Sequence, residues 1–242
     1  MRILLLSMVA ALVMAGWGWA DEPVPDWTGM LGMSLSLTRG NSDTTNVSFN
    51  ATANNAFAPR WEWVNSAYLL DQDSDGVKKA DQSGLSTGVH WKIMNRQMLY
   101  AEIGYLRDRF KDYDYRITPG VGYGYDVIAA QHQKLTLLAG MTYVATRYIS
   151  TGDTESYTGV KAGDAFWMKL SPTAEFTQGF EIVSDISKPS RWFAKFDCGL
   201  SAALTKKMAL TLSLRDSYDA KPVDPLVDKN DMTFMTGIAF KY

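Results

Sequence analysis

Residues Met232–Tyr242 read MTFMTGIAFKY. Taken every second residue, Met232, Phe234, Thr236, Ile238, Phe240 and Tyr242 form one set, and Thr233, Met235, Gly237, Ala239 and Lys241 the other. Successive side chains of a strand point to opposite faces. The stretch therefore has one greasy face and one small or polar face. Its length matches a tilted strand that crosses a bilayer, roughly 9–11 residues. The same alternation recurs along most of the chain. The expected fold is all-β: a transmembrane antiparallel up-and-down β-barrel of about twelve strands, with this stretch closing the ring.

The rest of the chain is consistent with one such domain. Its 242 residues, less a leader of about twenty, suit a single all-β barrel. A net charge of −2 argues against nucleic acid as a partner. Cys198 is the only cysteine, so no internal disulfide can form. Met1–Ala20 combines an early positive charge at Arg2, an apolar run from Ile3 to Ala15 and small residues at Gly18 and Ala20. This reads as a signal peptide cleaved after Ala20, leaving residues 21–242 as the barrel. The competing reading is an anchoring helix, for which the apolar run is short. No later segment has the apolar length of a spanning helix, so a span must be β.

The first strand is expected at Trp27–Thr38, followed by turn chemistry at Arg39-Gly40-Asn41-Ser42-Asp43. The second, Thr44–Asn55, sets Val47, Phe49, Ala51 and Ala53 against Asn46, Ser48, Asn50, Thr52 and Asn54. An Asn-rich face suits a hydrated lumen better than a dry core. Further strands fall near Trp61–Leu70, Ser83–Ile93, Met98–Arg107, Arg116–Asp126, Lys134–Ala145, Gly163–Leu170, Thr173–Ile186, Trp192–Leu204 and Met208–Tyr218. Ser171-Pro172-Thr173 reads equally as a turn or a strand interior. Short connections (57–60, 94–97, 128–133, 171–173, 205–207) alternate with mostly longer, more charged ones (71–82, 108–115, 146–162, 187–191, 220–231). Outer-membrane barrels alternate short periplasmic turns with longer external loops in this way. Trp61, Trp63, Trp91, Tyr105, Tyr123, Tyr125, Tyr143, Phe240 and Tyr242 fall near strand ends, where aromatic girdles belong.

Strand parity assigns Glu62, His90, Lys92, Glu102, Arg116, Lys169, Glu175, Glu181, Asp185, Lys195, Asp197, Arg215 and Lys241 to the lumen. Both signs occur in similar number. They fit either a narrow, weakly selective pore or a ladder of paired charges filling the interior. Gly84-Leu85-Ser86-Thr87-Gly88 matches the G-x-S-x-G of serine hydrolases but sits inside a strand, not on a strand–turn–helix. His90 is about 13 Å along the same strand from Ser86, so the two cannot hydrogen-bond. His132 falls in a short turn and reads as solvated. Asp71, Asp73 and Asp75 match the first half of a calcium loop, yet Gln82 stands where the bidentate Glu belongs and no helices flank it. An acidic hairpin is the plainer reading, with a weak divalent-cation site as its rival. Cys198 falls on the apolar register and reads as a small lipid-facing hydrophobe. No motif calls for a cofactor.

The Trp27 strand, the Arg39–Asp43 turn, the Gly120-Val121-Gly122-Tyr123-Gly124-Tyr125 run and the aromatic closing strand together resemble the YdiY-like proteins. That family is labelled salt-induced outer-membrane proteins and classed as a domain of unknown function. The resemblance covers nearly all of the chain beyond the leader and implies outer-membrane location, with no catalytic or binding residues to carry over. Phe240 and Tyr242 are also similar to the terminal signal read by the barrel-assembly machinery. Outer-membrane lipid and lipopolysaccharide are the other expected partners. The expected function is non-enzymatic, a small pore or an envelope-stabilising barrel. The alternatives are an outer-membrane lipid-modifying enzyme, for which no nucleophile–base–orienter trio is found, and a soluble lipocalin-type ligand-binding barrel.

Overall fold

The computed structural model describes residues 27–38, 44–74, 77–222 and 229–242. The expected leader and the Arg39–Asp43 turn lie outside these residues. Twelve strands follow one another: β1 (Trp27–Thr38), β2 (Thr44–Ala58), β3 (Trp61–Ser74), β4 (Val77–Met94), β5 (Gln97–Asp108), β6 (Tyr113–Ala129), β7 (Gln133–Tyr148), β8 (Thr154–Lys169), β9 (Ala174–Asp185), β10 (Trp192–Ala203), β11 (Met208–Asp219) and β12 (Asn230–Lys241). Each pairs antiparallel with its sequence neighbour, and β12 pairs with β1 to close the barrel. No helix among the described residues is long and apolar enough to cross a membrane.

The greasy faces point outward. On β12, Phe234 is 67% exposed while Ala239 on the other face is 1% exposed. A soluble lipocalin-type barrel needs the opposite polarity, apolar side chains inside; an exterior of this kind needs lipid. On the outer face, the Asn65 amide is hydrogen-bonded through both its nitrogen and its oxygen. It donates to the Ala53 carbonyl at 2.9 Å and accepts from Thr87 Oγ1 at 2.7 Å, which in turn accepts from Trp63 Nε1 at 2.7 Å. Unsatisfied groups facing hydrocarbon would cost several kcal/mol.

The long connections expected from sequence are mostly strand. β3 runs on to Ser74 and β4 begins at Val77, absorbing nearly all of 71–82. β5 and β6 leave only 109–112, and β7 and β8 leave 149–153, so β8 starts nine residues before the expected Gly163. The reason is physical. Where a hairpin rises beyond the hydrocarbon both faces meet water, so hydrophobic alternation fades although the backbone ladder continues. Ser171-Pro172-Thr173 is a turn: Ser171 Oγ accepts from the backbone N–H groups of Thr173 at 3.2 Å and Ala174 at 3.0 Å.

The closing seam is the shortest ladder. β1 meets β12 only from Met30 to Ser34, against Lys241 to Gly237. The Tyr242 backbone extends it through reciprocal bonds with Gly29 at 3.3 Å. Its ring then crosses Gly29 so that the hydroxyl donates to the Thr52 carbonyl of β2 at 3.1 Å. A Cβ on Gly29 would lie 2.4 Å from that hydroxyl and 2.2 Å from the carbonyl, which explains glycine there.

The termini of the described barrel share an end with the turns at 59–60, 95–96 and 130–132. In a Cys198→Ala background, a cysteine at Thr151 is expected to react with an impermeant maleimide on intact cells, and one at Met94 is not. Labelling at Met94 alone would invert the topology.

Candidate functional site: the barrel lumen

Glycines on the inner wall let large rings lie flat against it. A Cβ on Gly84 would sit 2.1 Å from the Tyr68 ring, and one on Gly122 2.4 Å from the Tyr100 ring. Tyr68 thereby presents a face to the lumen, and the Arg215 guanidinium stacks on it at 4.1 Å. Arg215 also donates to Asp197, its cross-strand neighbour, at 2.7 Å.

Deeper contacts cross the interior. Lys161 of β8 bridges Glu102 of β5 and, at 2.6 Å, Glu181 of β9. Nearer the 109–112 end, β6 reaches β11 on the far side of the ring. Tyr113 Oη donates to Asp219 Oδ2 at 2.5 Å, and the Arg116 guanidinium lies 3.5 Å from the same oxygen. Arg116 is held by Thr146 Oγ1 at 2.9 Å and by the rings of Tyr113 at 4.1 Å and Phe193 at 4.9 Å. Lys111, in the β5–β6 turn, reaches Ser217 at 2.8 Å and Asp231 at 3.0 Å. Phe193 also packs with Val144 and Val183, apolar residues on the inner face.

Two cavities border this layer. The first, of about 260 Å³, has walls that include Tyr68, Glu102, Lys161, Lys195 and Arg215. The second, of about 270 Å³, lies between Tyr148, Tyr157 and Arg191. Arg116, Phe193 and Asp219 line both.

Of the residues that parity assigned to the lumen, Glu102, Arg116, Glu181, Lys195, Asp197 and Arg215 line the first cavity. Glu62 pairs with Lys92 at 3.8 Å and Glu175 with Lys241 at 3.5 Å, nearer the other end. His90 lies edge-on to Tyr100. Asp185 instead caps a turn, accepting from the N–H groups of Ser187 at 2.7 Å and Lys188 at 3.2 Å, and Lys169 is exposed at the end of β8. Lys111, Tyr113, Lys161 and Asp219 were missed because they lie in or beside segments that read as loops. Parity continued forward from Arg215 on β11 would have reached Asp219, and continuing β8 upstream would have reached Lys161.

Two of the three aspartates of the acidic hairpin fall on a strand. Asp71 and Asp73 belong to β3, not to a loop, because the ladder with β4 continues past them; Asp75 lies outside the described residues. Among the described residues no group of three His, Cys, Asp or Glu could hold a metal ion. Ser86 lines the first cavity and His90 does not, so the G-x-S-x-G match gains no base.

These features define a membrane-type antiparallel barrel with a polar, partitioned interior. The chain belongs to the family described as "Protein of unknown function, DUF481", whose model matches residues 31–242. Among solved structures it is similar in fold to the NanC porin, with TM-score 0.53 and 12% identity over 89% of this chain and 100% of that one. The translocator domain of the autotransporter NalP from Neisseria meningitidis gives 0.52 and 11%, covering 100% and 96%. The COG4313 outer membrane channel from Pseudomonas putida F1 gives 0.50 and 10%, covering 93% and 97%. No curated protein matches the chain in sequence.

Proposed function

We propose that this protein is a non-enzymatic outer-membrane channel of small bore, closed at rest by the Arg116–Asp219–Phe193 layer. The observation that carries the reading is the common wall: two cavities of about 260 and 270 Å³ are bordered by the same three side chains. A barrel filled for rigidity alone has no use for chambers of that size, since interiors otherwise pack to the density of organic crystals. The fold is shared with a porin and a channel, which supports the class without naming a solute. The YdiY-like relationship is compatible with the family membership and belongs to this proposal, as do a cleaved leader at residues 1–20, lipid and lipopolysaccharide around the barrel, and recognition of Phe240 and Tyr242 by the assembly machinery.

The test is single-channel recording of refolded protein in planar bilayers. The parent is expected to give small, infrequent openings, and Phe193→Ala, which joins the chambers, larger and more frequent ones. Silence from both proteins, with insertion verified, would leave an envelope-stabilising barrel instead.

A further inference from the structure

We infer that Lys195 is the anchor of a binding site for a small monocarboxylate in the lumen cavity walled by Tyr68, Glu102 and Lys161. The inference rests on the channel reading only in how the ligand arrives; the site itself stands on the residues around it.

Strand pairing sets Lys195 of β10 opposite Glu181 of β9 and Ser217 of β11. Side chains opposed in this way have Cβ atoms about 4.5–5.5 Å apart, so a Lys195–Glu181 pair is the default. It does not form. Glu181 turns its Oε2 to Lys161 at 2.6 Å. Ser217 accepts from Lys111 at 2.8 Å. Asp197, two residues along the same face, is held by Arg215 at 2.7 Å. Each of these three side chains engages another cation, and Glu181 acts on Lys195 only as a nearby charge without an ion-pair contact. Among the described residues its ammonium has no carboxylate within 4 Å, and its recorded neighbour is the Phe193 ring at 5.7 Å, the ring that Arg116 also meets.

Lys195 is half-buried and lines a cavity, and an ammonium drawn away from water without a contact partner is costly. Its complement is an anion. The surrounding carboxylates limit that anion's charge: Glu102, Glu181 and Asp197 line the same cavity and repel a second negative charge. A phosphate dianion is therefore disfavoured relative to a monocarboxylate, which matches one free ammonium. Size limits it too, because about 260 Å³ falls just below the roughly 300 Å³ at which pockets accept drug-sized molecules. The bound carboxylate also sits directly beneath the Arg116 layer, so occupancy competes with Asp219 for the Arg116 guanidinium.

The experiment measures thermal unfolding of the refolded, detergent-solubilised protein against sodium acetate, sodium chloride and inorganic phosphate at constant ionic strength. Acetate is expected to raise the transition of the parent more than either other salt. Lys195→Met and Lys195→Gln should weaken the apparent acetate affinity by roughly tenfold or more, the usual effect of removing a charge-assisted bond, while Lys195→Arg retains it. This readout needs no current, so acetate stabilisation without conductance keeps the site and removes the channel. Conductance without acetate stabilisation, or stabilisation that the neutral variants share with the parent, overturns the site. If neither neutral variant folds, the parent's preference for acetate over phosphate, and its retention in Lys195→Arg, decide the question.

Discussion

Replacing Asp219 with alanine should cut the resistance of the folded barrel to heat more than any other single lumen change. Asp219 is 7% exposed and Arg116 8% exposed, and both depend on each other across the interior. Removing one member of a buried pair leaves the other charge uncompensated, at a cost of about 3–5 kcal/mol. The variant also strands the Tyr113 hydroxyl, which donates to the same oxygen. Replacing both charges with apolar residues of similar size, Arg116→Met with Asp219→Leu, should recover much of the loss, since a buried ion pair contributes little beyond a well-packed apolar one. The measurement is the temperature at which the compact band of the refolded protein converts to the unfolded one on electrophoresis. An unchanged conversion temperature in Asp219→Ala would mean that the layer carries no stability and is solvated like bulk surface.

The second large effect belongs to the exterior. Val121, at the middle of β6, is 61% exposed on the outer face, between Ala101 of β5 and Met141 of β7. An arginine at mid-membrane on that face costs about 2–4 kcal/mol, whereas lumen substitutions chiefly tune selectivity. Val121→Arg should therefore lower the folding yield in lipid vesicles sharply. Ser86→Arg, on the wall of the lumen cavity, should lower it less. Equal yields would contradict lipid on the outside, and a worse result for Ser86→Arg would favour a barrel with its apolar surface inward.

Strand parity made much of this legible. Within the hydrocarbon, water lies on one side of the sheet and lipid on the other, so the sequence must alternate; Leu85 to Ile93 and Ile117 to Tyr125 do. Their faces and the count of twelve strands followed. Beyond the hydrocarbon both faces are wet, and Tyr113, Thr154 and Lys161 carry no alternation that separates strand from loop. The cross-lumen partners were hidden for a different reason. Asp219 meets Tyr113 because β6 and β11 stand on opposite sides of a closed ring, and no local pattern encodes which side chains meet across a diameter. Lys195 is the converse case. Its neighbour Glu181 was readable, but not that Lys161 would claim it.

The seam between β1 and β12 has a kinetic meaning. Eleven of the twelve ladders join strands adjacent in sequence and can form as hairpins, each closing a short loop. The twelfth brings together segments about 200 residues apart, and the entropy of closing a loop grows by about 0.6 kcal/mol for each doubling of its length. The largest loop is thus closed by the shortest ladder, Met30–Ser34 against Gly237–Lys241. Ring closure is accordingly expected to come last in assembly, and its short ladder to open first. The Tyr242 hydroxyl on the Thr52 carbonyl acts on that step by tying β12 past β1 to β2, so one aromatic side chain slows the reopening of the whole ring.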